Sequence, residues 1–294
     1  MAVFKSKTRR PHEKSLIINT TASGINWEAA FLLTSDQHFD SKNCNRNLLR
    51  KHYDQAVDRG AGILILGDFW DAMQGRNDRR GSKKALTEEF LKTSYINELV
   101  NKATDFLVPY AANIQGWSPG NHETSIIKNL EVDLIDLVIS RLKERTGHEI
   151  NTLPYTGWII FQVSDIKGNH IGSLRMAYTH GAGGGGPVTK GVIQTNRRAT
   201  YLPDADIVAS GHIHEAWVLE LSRERITDHG LPYLDTQWHI QLPTYKEEYN
   251  STGDGWWHET GKSPRPQGGW WLTLGRRKRN NKTWEITINP VRAI

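Results

Sequence analysis

Apolar positions follow two periods along this chain. Short apolar runs at Ala29 to Thr34, Ile63 to Leu66 and Ala111 to Gln115 read as buried strands. Helical spacing takes over between and after them. From about Asn43 to Arg59, Leu49, Tyr53, Ala56 and Val57 recur on one face, and Gly60 is a plausible stop. Leu86 to Leu107 carries Phe90, Ile96, Leu99, Ala103, Phe106 and Leu107 on one side, and Pro109 closes it. A third helix is expected from about Ile126 to Lys143, with Ile127, Leu130, Leu134, Leu137 and Val138 as its stripe. Strand and helix alternating in this way predict βαβ units and a largely parallel sheet.

The second half has a different rhythm. Trp158 to Val163 and Ile171 to Tyr178 are strand-like and joined by a turn at Gly168-Asn169. A short helix near Val192 to Tyr201 leads into a strand at Asp206 to Ala209. Ala216 to Leu221, Trp238 to Leu242, Trp270 to Leu274 and Trp284 to Ile288 are further strand candidates. A second sheet, richer in antiparallel pairs, is therefore expected to face the first. Residues 1–14 read as a flexible basic tail and 15–294 as a single domain, in which 243–269 forms a long loop or lid.

Composition changes this picture only in part. The chain has 294 residues and a formal charge of +5, with hydrophobic and charged fractions of a soluble globular protein. No apolar run approaches the ~20 residues that cross a bilayer. The first residues lack the apolar core of a signal peptide. Cys44 stands alone, which excludes an intrachain disulfide and suits a reducing cytoplasm. Positive charge gathers at Lys5 to Arg10, Arg76 to Lys84 and Arg276 to Lys282. The terminal clusters fit solvated surface. The middle one, close after Asp71, has the stronger claim on phosphate or nucleic acid.

The chemistry sits where apolar strands end. Asp36-Gln37-His38, Gly67-Asp68-Phe69-Trp70-Asp71, Gly120-Asn121-His122-Glu123, Thr179-His180-Gly181 and Gly211-His212-Ile213-His214 each put Asp, Asn or His directly beyond one. In strand-like backbone, residues i and i+2 point the same way, so Asp36 with His38 and His212 with His214 are expected to converge. Mixed oxygen and imidazole donors suit manganese, iron, zinc or nickel better than calcium or magnesium.

This order of motifs, DxH, GDxxD, GNH[DE], H and GHxH, resembles the calcineurin-like metallophosphoesterase superfamily. The terminal GHxH is similar to the branch of phosphodiesterases and Mre11-like nucleases. The spacing and the Trp-rich tail look like phage or prophage members. Ala72-Met73 follow Asp71 where the protein phosphatases have Arg-Gly, so their substrate arginine has no match. The resemblance implies an αββα sandwich of four layers with two facing mixed sheets. It also implies two divalent transition-metal ions, with manganese first and iron, zinc or nickel as alternatives. Asp36, His38 and His214 would hold the first ion and Asn121, His180 and His212 the second, with Asp68 bridging. His122 would protonate the leaving oxygen and Asp71 would orient a ligand or His122.

The activity implied is hydrolysis of a phosphodiester, in nucleic acid or a nucleotide, in a bacterial or phage-infected cytoplasm, by water activated between the ions. A phosphomonoesterase, a protein phosphatase or a catalytically silent scaffold are the alternatives. For substrate contact, Trp70 and Trp117 are candidates for base stacking, although core packing serves either equally well. Arg76, Arg79 and Arg80 are candidates for flanking phosphates. Gly181 to Gly186 matches no phosphate-binding fingerprint and reads as a flexible rim. Neither a membrane nor a particular oligomeric state is indicated.

Overall fold

The computed structural model describes residues 4–8, 15–73, 83–91, 94–186, 188–247, 249, 261, 263–278 and 284–294. In chain order its elements are β1 (Lys5–Thr8), β2 (Ser15–Ala22), β3 (Glu28–Thr34), α1 (Arg46–Asp58), β4 (Gly62–Leu66), α2 (Tyr95–Leu107), β5 (Ile114–Ser118), α3 (Asn121–Leu130), α4 (Leu134–Thr146), β6 (Asn151–Thr152), β7 (Thr156–Asp165), β8 (His170–Thr179), α5 (Val192–Tyr201), β9 (Ile207–Ser210), β10 (Trp217–Ile226), β11 (Pro232–Gln241), β12 (Gly269–Lys278) and β13 (Trp284–Ala293). They form a seven-stranded sheet, β1-β2-β7-β8-β9-β11-β10, and a six-stranded sheet, β13-β12-β3-β4-β5-β6. Both sheets are mixed.

β4 shows why the layers stack as they do. All five of its residues are buried, and successive side chains must serve opposite faces. Ile63 and Ile65 face a core built with Leu49 and Tyr53 of α1, Leu99 and Phe106 of α2, and Leu134 and Val138 of α4. Leu64 and Leu66 point the other way, into a second core shared with Leu16, Ile18, Phe161 and Met176 of the seven-stranded sheet. A small cluster of Ala177, Ala205 and Val208, with Leu202 at the end of α5, covers part of that sheet's outer face. The result is an α/β sandwich of helices, sheet, sheet and helix.

Four expectations change. Lys5–Thr8, read as part of a flexible tail, pairs antiparallel with β2, a strand absent from the sequence reading. The strands at Trp270 and Trp284 do not build the second sheet. β12 pairs antiparallel with β3, and β13 with β12, so both extend the first sheet. The helix expected from Ile126 to Lys143 is two helices. Glu131 turns left-handed at φ 55°, and Asp133 then caps α4 by accepting from Ile135 N and Asp136 N at 3.0 and 3.1 Å. As a result, Ile127, Leu130 and Leu137 are exposed instead of forming a core stripe. The helix expected from Leu86 starts only at Tyr95, preceded by a 3₁₀ turn at Glu88–Phe90. Among the described residues, no helix is long and apolar enough to cross a membrane.

Candidate metal centre

Five strands, β3, β4 and β5 of one sheet and β8 and β9 of the other, deliver their carboxyl ends to one edge of the sandwich. The loops beyond them continue to pair. Asp36 N donates to Gly67 O (3.0 Å), His38 N to Asp68 O (3.2 Å) and Gly211 N to His180 O (3.0 Å). Side chains do not converge here by strand alternation, as the sequence reading supposed. Asp36, His38, Asp68, His212 and His214 all adopt positive φ, from 50° to 74°. Left-handed backbone at a non-glycine residue costs energy and gathers at functional sites. Five such residues in one cluster mark this edge as built for a purpose other than stability. Close approach also requires glycine. A Cβ on Gly67 would overlap the His180 ring, one on Gly120 would overlap Asp68, and one on Gly211 would overlap Ser35 and crowd Asp36.

The donor atoms fall into three groups, each within 4.8 Å: Asp36, His38 and His214 in the first, Asp68, His180 and His212 in the second, and His38, Asp71 and His122 in a third that shares His38 with the first. In the first, the Nε2 atoms of His38 and His214 face each other at 3.3 Å, with Asp36 Oδ1 3.2 Å from His214 Nε2. In the second, His180 Nε2 lies 2.9 Å from Asp68 Oδ2 and 3.9 Å from Asp36 Oδ1, which ties the groups together. Asp36 Oδ1 and Asn121 Oδ1 are buried without a hydrogen-bond partner. Burying such acceptors unpaired is costly unless a cation satisfies them. This donor set therefore fits two transition-metal ions.

The rings are held so that one nitrogen of each faces the cluster. Leu66 O lies 3.1 Å from His180 Nδ1, and Asp71 Oδ1 lies 2.6 Å from His38 Nδ1. The Leu66 carbonyl at His180 Nδ1 and the Asp71 carboxylate at His38 Nδ1 turn Nε2 of both rings toward the cluster, the arrangement typical of metal-ligating histidines. Glu123 joins two loops: Oε2 accepts from Gly120 N (2.7 Å) and Asp68 N (3.0 Å), and Oε1 from Trp70 N (3.1 Å). Asp40 accepts from Asp71 N (2.6 Å), Ala72 N (3.2 Å) and Tyr95 Oη (2.5 Å).

The field at the centre favours positive charge. Burial would push the His180 imidazole down, yet the Asp68 and Asp36 carboxylates outweigh it and raise the ring to about 10. Burial would likewise raise the Asp36 carboxyl, but His180 and His214 bring it down to about 2. Asp68 and Asp71 are also held well below the usual carboxylate range, against burial, Asp68 by His180 and His122 and Asp71 by His38 and Lys246. Glu123 goes the other way. Burial and the Asp68 charge push it up to about 7.

His122 stands at the mouth of this centre, its side chain 10% exposed. Its Nδ1 meets the backbone oxygen of Asp71, which can only accept, so Nδ1 carries a proton and Nε2 is the exchangeable position. That Nε2 lies 3.7 Å from Asp68 Oδ2. Asp71 thus has two roles, its carboxylate on His38 and its carbonyl on His122.

The stacking candidates do not stand. Trp70 and Trp117 are both 0% exposed and packed against each other, with ring centroids 5.4 Å apart. Phe69 fills the remaining side, so neither ring offers a face to a base. Arg76, Arg79 and Arg80 lie outside the described residues. Beyond the glycine-rich stretch, Gly191 makes room for Ile213, the residue between His212 and His214, whereas a Cβ on Gly185 would make only ordinary contact with it. Sequence reasoning missed Asp40, Glu123, Thr244, Lys246 and the Glu215–Arg265 pair. The alternation Asp36-x-His38-x-Asp40 could have exposed Asp40. Nothing in the irregular stretch around Lys246 signals that its Nζ comes within 3.0 Å of both Asp71 oxygens.

No family model matches this chain, and no curated protein does. Solved structures do. A predicted phosphoesterase of Streptococcus pneumoniae is 9% identical, with 90% of this chain and 99% of that one covered at a TM-score of 0.33. Zinc-complexed Vps29 of Entamoeba histolytica is 10% identical, covering 90% and 99% at 0.35. A candidate 5′-nucleotidase of Staphylococcus aureus is 12% identical, covering 91% of this chain and 55% of that one at 0.41. At such identities and TM-scores these likenesses support no conclusion about chemistry, and the function proposed for this chain rests on its own residues.

Proposed function

We propose that this chain is a metal-dependent phosphoester hydrolase of the calcineurin-like superfamily, acting on a phosphodiester in nucleic acid or a nucleotide. The observation that carries this reading is the pair of adjoining donor groups with a protonatable histidine at their mouth. Asp36, His38 and His214 would hold one ion and Asn121, His180 and His212 the other, with Asp68 shared. Bound there, two divalent cations supply Lewis-acid stabilisation of the phosphoryl oxygens and lower the pKa of water. Manganese, iron, zinc and nickel all suit the donors.

The chain's own residues do the rest. Asp71 and Leu66 O fix the tautomers of His38 and His180, so the Nε2 lone pairs are oriented before any substrate arrives. The Asp71 carbonyl orients His122, and Nε2 of that ring delivers a proton to the leaving oxygen. An alkoxide leaving group needs that proton in a monoester as in a diester, so the lean to a diester rests on the resemblance carried by Gly211-His212-Ile213-His214. The test is a panel assayed with added Mn²⁺: bis-p-nitrophenyl phosphate, p-nitrophenyl phosphate, single- and double-stranded DNA, and cyclic nucleotides. Diester turnover is expected. Hydrolysis of the monoester alone overturns the diester assignment, and no hydrolysis when the panel is run with Mn²⁺ and repeated with Fe²⁺, Zn²⁺ and Ni²⁺ overturns the enzyme reading.

A further inference from the structure

Three side chains and one backbone amide from the stretch between β11 and β12 meet residues of the first donor group or residues beside them. Thr244 Oγ1 and Tyr245 N both donate to the Asp36 carbonyl, at 2.7 and 3.0 Å. Lys246 Nζ sits 3.0 Å from each carboxylate oxygen of Asp71, whose Oδ1 is 2.6 Å from His38 Nδ1. Arg265 pairs with Glu215, the buried residue next to His214. Asp36 and, through Asp71, His38 are thus buttressed from this stretch, and Arg265 holds the residue that follows His214. The second group is held otherwise: His180 by Leu66 O, the His212 amide by Asp36 Oδ2, and Asn121 by its place at the start of α3.

The stretch is itself anchored. Gly268 N donates to Thr244 O (2.9 Å), Asn45 N to Tyr245 O (2.7 Å), and Glu247 N to Asn43 O (2.7 Å). Asn45 Nδ2 reaches Gln267 Oε1 at 2.8 Å. Lys246 and Asp71 are nearly enclosed, 11% and 3% exposed, so water screens their attraction little.

We infer that Lys246 is a positioning residue for one metal position only, with Thr244 and Arg265 as its auxiliaries. This inference rests on the two-ion reading of the site. Lys246 locks the Asp71 carboxylate against His38 and so keeps the His38 Nε2 lone pair aimed at the first position. Without the ammonium, Asp71 is free to turn and His38 to change tautomer, while nothing at the second position moves.

The test is calorimetric Mn²⁺ titration of the full chain, joined to electron paramagnetic resonance, which separates a spin-coupled ion pair from a lone Mn²⁺. The wild type is expected to bind two ions and show the coupled signal. Lys246→Met is expected to keep one ion at wild-type affinity, to lose about 10–100-fold at the other, and to show the lone-ion signal at intermediate Mn²⁺. Lys246→Arg is expected to recover most of the loss. In a His214→Ala background, where the first position is already broken, Lys246→Met is expected to leave the remaining affinity unchanged. Should Lys246→Met fail to fold by circular dichroism, Arg265→Met serves, with a smaller loss at the same position. Equal weakening of both ions, no weakening, or a further drop in the His214→Ala background overturns the inference. A wild type that binds fewer than two ions overturns the two-ion reading itself.

Discussion

The two halves of the metal centre are built by different means. The first group is held by charge: Asp71 and Lys246 on His38, the Glu215–Arg265 pair beside His214, and hydroxyl and amide donors on the Asp36 carbonyl. The second leans more on backbone, with Leu66 O on His180 and the first turn of α3 carrying Asn121, beside the Asp68 carboxylate on His180 and the Asp36 carboxylate on the His212 amide. Backbone oxygens at a strand end move only if the sheet moves. Side-chain ion pairs respond to substitution and pH. The difference teaches that two ions bound a few ångströms apart need not share their sensitivity to the rest of the protein.

The sharpest way to break that comparison is to remove what the halves share. Asp68→Asn takes a charge from the carboxylate that faces His180 and, by proposal, serves both ions. Both are expected to be lost together on metal analysis, with activity falling to background. His180→Ala is expected to empty only the second position. If Asp68→Asn retains two ions, the bridging role is wrong and Asp36, 3.9 Å from His180 Nε2, becomes the candidate.

The next effect separates binding from chemistry. His122→Ala is expected to keep both ions and lose about 10²–10⁴-fold in turnover of an alkyl diester. A p-nitrophenyl ester, whose leaving group needs little protonation, is expected to lose far less. Equal losses on the two substrates would remove His122 as proton donor and leave it a structural neighbour of Asp71.

Much of this centre was legible in the sequence because its candidate ligands follow apolar strands, and local pattern marks strand ends. Asp36, Asp68, Asn121, His180 and His212 each lie within three residues of the strand before them. Strand alternation, expected to bring Asp36 to His38 and His212 to His214, is all the same not what places them. Left-handed φ at Asp36 and His38 is set by loop pairing between β3 and β4, which no period of apolar residues reports. Trp70 could not be assigned because an indole flanked by two aspartates reads equally as pocket or core. Phe69 and Trp117 decide it by enclosing the ring. Lys246 was invisible because its partner is 175 residues away and joined only by tertiary structure. The splitting of the third helix turned on Glu131, where an ordinary residue takes the conformation that glycine would announce.

The smallest expected effect concerns a loop that by proposal serves both positions, Gly211 to His214, in which His212 would bind the second ion and His214 the first. Its middle residue, Ile213, packs where Gly191 has no side chain, and a Cβ there would overlap Ile213 Cδ1. Gly191 also has φ 80°, so alanine brings backbone strain of about 1–2 kcal/mol whatever the space. Gly183 supplies the control, with φ 78° and nothing within 4 Å of a Cβ. Gly183→Ala is expected to cost stability alone. Gly191→Ala is expected to cost the same strain and in addition to weaken both ions by a similar, few-fold factor, since Ile213 moves its two neighbours together. Adding Ile213→Ala to Gly191→Ala removes the overlap but not the strain, and is expected to restore metal affinity without restoring the melting temperature. If Gly191→Ala weakens only one ion, the loop is not a rigid unit, and the independence of the two positions extends to the element they share.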